Sequence, residues 1–147
     1  MSEAIRRAAG TVTFSDLLRQ PRRLLGRFGG DSAARAADAD AAAFAAGEAR
    51  VVTAFAHEGR RLRQGLLVLD PASPTPVTWH RTMRPRPGPS PVPLSAPFDV
   101  LAVTPGTPRR AFTLVTFTAA ATPWALAVPA LDLPLVHAAL SRANAQA

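Results

Sequence analysis

The side chains of this 147-residue chain that could move a proton, hold a metal or grip an anion are three histidines, ten acids and seventeen basic residues, all arginine. His57, His80 and His137 stand apart, with no His-x-His, His-Glu-x-x-His or nearby acid pair. A metal site needs three or four converging ligands. His57 and His80 could meet across neighbouring strands, but surface or half-buried positions account for all three more simply. No Gly-x-Ser-x-Gly is present and no serine falls on an expected strand-to-helix elbow, so nothing motivates a serine nucleophile. The acids after residue 48 are Glu58, Asp70, Asp99 and Asp132. Three fall at expected turns and one at a helix start. Turn and cap chemistry explains them better than a mechanism needing two carboxylates across a cleft.

Missing residue types exclude further chemistry. Without cysteine there is no disulfide, thiolate nucleophile or Cys-ligated metal. Without lysine there is no complete Walker A loop and no Schiff base. The expectation is a non-enzymatic protein with no catalytic residue, no cofactor and no metal.

The arginines are the remaining chemistry. A guanidinium can hold a carboxylate or phosphate through two parallel hydrogen bonds. The net charge of +7 is uneven: residues 1–30 carry +4, residues 31–48 carry −3 and residues 49–147 carry +6. Arg60, Arg61 and Arg63 sit at an expected hairpin. Arg81, Arg84 and Arg86 end a strand and enter a proline-rich loop, and Arg109 and Arg110 lie at a later turn. A basic balance favours anionic partners: an acidic protein, an anionic membrane surface or nucleic acid. The competing reading is a set of solvated loops. Abundant alanine, the absence of lysine and tyrosine, and single Ile5 and Asn144 fit a GC-rich coding sequence, which itself enriches arginine.

Elements must position these residues. Residues 1–30 read as a basic helical arm. Phe14, Leu17, Leu18, Leu24, Leu25 and Phe28 recur at helical spacing, with Arg19, Arg22, Arg23 and Arg27 largely between them. Pro21 interrupts the stripe and Gly29-Gly30 ends it. Residues 31–48 are alanine-rich and acidic with Phe44 as the only large apolar side chain. They read as a linker, helical in part or mobile.

From Arg50 the hydrophobic period becomes two. Val51 to His57 and Leu62 to Leu69 read as a hairpin around Glu58-Gly59. Val77 to Arg81 alternates with Val77 and Trp79 on one face. Six prolines between Pro85 and Pro97 demand loop, with a short edge strand near Val92 to Leu94. Phe98 to Thr104 follows as a strand, and Phe112 to Thr118 and Trp124 to Val128 follow as a closing hairpin. A helix then starts near Asp132, with Leu133, Val136 and Leu140 on one face. Trp79 and Trp124 lie on apolar strand faces, which favours core packing over a stacking platform for bases. No apolar run reaches the ~18–20 residues of a spanning helix, and the N-terminus lacks the apolar stretch of a secretory signal. A cytoplasmic location is expected. The fold class is mainly β (α+β): a small, partly open barrel or sandwich of six to seven strands, capped by a C-terminal helix and preceded by the arm.

Gln64-Gly-Leu-Leu-Val-Leu69, Val77-Thr-Trp79-His-Arg81 and Trp124-Ala-Leu-Ala-Val-Pro129 running into the Asp132 helix resemble the small pleckstrin-homology-like domains of actinobacteria. The resemblance covers about residues 50–142. It implies a seven-strand barrel over residues 49–147, closed by a C-terminal helix. It also implies an anion-binding rim near the first hairpin, made here of Arg60, Arg61, Arg63, Arg84 and Arg86. The tryptophan that many such domains carry in the final helix is missing, and no N-terminal membrane anchor is expected. A second, shorter stretch, residues 13–27, resembles the opening of prevent-host-death type antitoxins, which are DNA-binding proteins.

These readings combine into one functional expectation. The chain is a binding or adaptor module that meets an acidic protein, or another anionic surface, through its arm and loops. Phe14, Leu17, Leu18, Leu24 and Leu25 would make apolar contacts, while Arg19, Arg22, Arg23 and Arg27 steer. The alternative is an antitoxin-like or other DNA-binding regulator.

Overall fold

Alternation of apolar and polar residues from Arg50 onward builds a sheet with one buried face, and that sheet dominates the molecule. The computed structural model describes residues 30–82, 91–105 and 112–147. The seven strands among them are β1 (Arg50–Glu58), β2 (Arg61–Leu69), β3 (Val77–Arg81), β4 (Val92–Leu94), β5 (Phe98–Pro105), β6 (Phe112–Ala119) and β7 (Thr122–Pro129). They form one antiparallel sheet in the order β4-β3-β2-β1-β7-β6-β5. β1 pairs with β2 along its whole length but meets β7 only at Phe55↔Ala127 and Ala56↔Leu126. The sheet is a curled half-barrel.

The concave face follows the period of two. Val52, Ala54 and Ala56 point inward from β1, Leu67 and Leu69 from β2, Val77 and Trp79 from β3, Val115 and Phe117 from β6, and Leu126 and Val128 from β7. Small residues on β1 leave room for the large ones facing them. Gly65 is part of the same accommodation. A Cβ there would lie 2.5 Å from the Trp79 ring and press on the His80 carbonyl, so the indole occupies the space a side chain would need.

A C-terminal helix, α2 (Leu133–Gln146), closes this core after a 3-10 turn over Ala130–Asp132. Leu135, Val136, Ala139, Leu140 and Ala143 are its buried face, and Leu133 is partly buried beside it. Asp132 occupies the expected N-cap position, but its side chain makes no capping hydrogen bond because its backbone is already helical within the 3-10 turn.

Residues 31–48, read from sequence as a linker, helical in part or mobile, are largely helical. Gly30–Ala45 is one helix, α1, and its Phe44 is 4% exposed within the central core. Ala33 and Ala37 share the buried side. The helix ends at Gly47, whose φ of +97° an L side chain rarely adopts. Gly47 N–H donates to the Phe44 carbonyl and Glu48 N–H to that of Ala43. This satisfies the helix's last carbonyls through a left-handed glycine cap. Asp40 and Glu48 both bind Arg50, so the acids of this segment fasten α1 to the first strand.

The arm and its expected contacts Phe14, Leu17, Leu18, Arg19, Arg22, Arg23, Leu24, Leu25 and Arg27 lie outside the described residues, as do Arg84, Arg86, Arg109 and Arg110. Among the described residues, no helix is long and apolar enough to cross a membrane.

Candidate anion-binding site

Strand register gathers arginines at one end of the β1–β2–β3 unit. Glu58 pairs with Arg61 and Ala56 with Arg63. Gly65, two residues further along β2, pairs with Arg81. Ala54, Ala56 and Glu58 share one face of β1. Their partners Arg61, Arg63 and Gly65 share that face on β2, and Val77, Trp79 and Arg81 share it on β3. Since Ala56 and Trp79 point into the core, Glu58, Arg61, Arg63 and Arg81 extend the concave face beyond its apolar part. Arg60 occupies the turn beside them.

One carboxylate organises the group. Glu58 accepts a hydrogen bond from Arg81 Nη2 through Oε1, and its Oε2 lies 3.7 Å from Arg63 Nε. Both guanidiniums are thereby held near each other without being sealed from water. Arg60 and Arg61 are exposed. The strand end is further fixed where Thr82 donates from both its main-chain N–H and its hydroxyl to the Gln64 carbonyl. Arg50, at the opposite end of β1, is by contrast bracketed by Asp40 and Glu48. Charge along this strand is therefore segregated, neutralised at its start and positive at its end. The arrangement can receive carboxylate or phosphate oxygens on planar donors; it holds no general acid–base pair.

The other sequence-selected residues are placed apart. His57 is exposed opposite Leu62 on β2, and His80 faces Leu66 further along the same strand. β2 lies between the two histidines, so they do not meet. His80 is half-buried, and desolvation lowers its pKa below the ordinary 6.5. His137 is exposed on α2. No group of three metal-ligating side chains converges among the described residues. Trp79 is 1% exposed and Trp124 packs against the core, as their strand faces imply. Asp70 forms the β2–β3 turn, its Oδ1 accepting from Ala72 N–H at 3.1 Å.

Three contacts were not evident in the sequence. The Glu58–Arg81 pair joins residues 23 apart in the chain. Gly65 has no local motif to mark it. Asn144 on α2 reaches 46 residues back to β5. Its Oδ1 accepts from Phe98 N–H at 2.6 Å, and its Nδ2 donates to the Phe98 carbonyl at 2.8 Å. The only hint was that Asn144 is the single asparagine of the chain.

No family model matches this chain, and no similar protein was found among curated proteins or solved structures.

Proposed function

We propose that this protein is a non-enzymatic binding module that captures an acidic polypeptide segment at the arginine-bearing end of its half-barrel. The observation that supports this is that Glu58 holds Arg63 and Arg81 together, with Arg61 its register partner and Arg60 in the adjoining turn. Because Arg61, Arg63 and Arg81 share a concave strand face, they suit an inserted carboxylate-bearing segment better than a flat bilayer. Arg84 and Arg86 follow in sequence and add charge to the same part of the chain. The basic arm, with Arg19, Arg22, Arg23 and Arg27, supplies longer-range steering of an acidic partner. In this reading the curled half-barrel and its capping helix, the architecture implied by the pleckstrin-homology-like resemblance, are the rigid platform.

The test titrates the full chain separately with poly-glutamate, with phosphatidylserine-containing vesicles and with duplex DNA. Poly-glutamate should bind, and Arg60→Glu/Arg61→Glu should weaken that binding about tenfold or more. Binding to vesicles or DNA with none to poly-glutamate would replace this reading by a membrane-surface or a DNA-binding one.

A further inference from the structure

β5 is the least protected element of the sheet. It lies at the end of the strand order and pairs only with β6, so its other edge has no strand neighbour among the described residues. Phe98 is buried, yet every following residue of β5 is exposed. Val100, Leu101 and Val103 are 41%, 66% and 40% exposed, and with Leu62 they are the large apolar side chains exposed among the described residues. β5 carries no basic residue and one acid, Asp99. An edge of this length and composition is a template for another strand.

The main chain shows which groups are free. Ala120 N–H donates to the Pro97 carbonyl, so the adjacent pair Phe98↔Ala119 is one whose Phe98 groups turn away from β6. Asn144 confirms this by bonding both Phe98 N–H and C=O, filling the place a neighbouring strand would take. Val100 follows Phe98 by two residues and also faces outward. A bulge between Val100 and Ala102 then shifts the phase by one residue. Ala102 pairs with Thr116 and Val103 with Val115, so Val103 becomes the next residue with outward N–H and C=O groups.

We propose that β5 is a homodimer seam, in which two copies of this chain pair their β5 strands antiparallel about a two-fold axis between Leu101 and Ala102. In that register Val100 of one copy faces Val103 of the other. Both are outward-facing residues, so the pair exchanges both of its main-chain hydrogen bonds, and the two-fold repeats the exchange. Asn144 holds the outward side of Phe98, so the paired strands part beyond Asp99 and Thr104 and the seam is confined to residues 99–104; Pro105, which would otherwise lie opposite Phe98, has no N–H to leave stranded. Val100 and Val103 register with Phe117 and Val115 on the concave face, so the paired valines form one apolar patch there. Asp99 meets Thr104 and not its own copy, which avoids opposed like charges. Bulges usually discourage edge pairing; here the two bulges face each other across the two-fold axis, between the two Val100–Val103 exchanges. A seam of one strand is small beside the roughly 800 Å² per partner of tight complexes, so the dimer forms at micromolar concentration or above.

Sedimentation of the full chain over a range of concentrations tests this. Wild type should show a monomer–dimer equilibrium. Leu101→Glu, at the most exposed position, should raise the dimer Kd about tenfold or more. Val103→Pro removes an N–H that β6 does not use and should do the same, with an unchanged circular dichroism spectrum confirming the fold of each variant. Because the chain has no cysteine, Val100→Cys/Val103→Cys should oxidise to a covalent dimer. The bulge sets the two positions of one copy opposite Phe117 and Val115, two residues apart on β6 and so about 7 Å from each other, beyond the usual span of an internal disulfide. Added salt should favour the dimer by screening two +7 chains from each other. A monomer at every concentration would overturn the proposal. So would a dimer indifferent to both Leu101→Glu and Val103→Pro, or one in which the double-cysteine chain fails to cross-link.

Discussion

At the residue scale, two residues tie the core to the site's neighbourhood. Gly65 stands beneath the Trp79 ring with no room for a Cβ. Gly65→Ala should destabilise the fold by about 1–3 kcal/mol, the usual cost of overpacking, as a lowered urea midpoint with unchanged slope. His80 sits on the next strand with Nε2 buried and no hydrogen-bond partner found for it. Burial disfavours its charged form, so its folded pKa lies below the ordinary 6.5. The unfolded chain thus takes up the proton first as pH falls. The His80 contribution to stability is complete above pH 6.5, shrinks as pH falls below that value, and levels off below the folded pKa. Thermal melts at pH 7.5 and pH 5 should differ less in His80→Gln than in wild type; an equal difference would show that His80 does not titrate this way.

At the scale of elements, the β6–β7 turn is the clearest strained feature. Ala120 and Ala121 adopt φ of +48° and +70°, joining Ala119 and Thr122 in a two-residue hairpin loop. Such a loop suits Asn-Gly, and alanine in the left-handed region costs about 1–2 kcal/mol per residue. Ala120→Asn/Ala121→Gly should therefore raise stability by about 1–2 kcal/mol, seen as a higher melting temperature without change of fold. The turn also illustrates what sequence could convey. The strands themselves were legible because alternation is local: Val77 and Trp79, or Val115 and Phe117, mark a buried face whatever lies opposite. The closing hairpin of β6 and β7 was legible in the same way, although Ala120-Ala121 offers no glycine or asparagine to fix the type of its turn. α1 was legible only as a linker, helical in part or mobile, because alanine carries little amphipathic contrast and Phe44 alone marks the buried side. Gly47 after Ala45 was the available stop signal. Asn144 could not be read at all, since its partner Phe98 is defined only once α2 lies against β5. At the site, Arg60, Arg61 and Arg63 announced themselves as a cluster. That Glu58 holds Arg63 and Arg81 together required the β2–β3 register.

At the scale of the whole molecule, charge and apolar surface are divided between different edges. The β1–β2–β3 end is arginine-rich around one glutamate, whereas β5 has no basic residue and bares its valines and Leu101. Capture of an acidic segment and self-association would then occupy separate surfaces and respond oppositely to salt. Screening weakens attraction at the first and relieves repulsion at the second. The proposed capture of acidic partners is tested most directly by the poly-glutamate Kd of the full chain measured across a series of salt concentrations. Affinity should fall steadily as salt rises, and Arg60→Glu/Arg61→Glu should both weaken binding and flatten that dependence. Affinity that is indifferent to salt, or identical in the charge-reversed chain, would contradict the assignment of the hairpin end as the place where acidic partners dock.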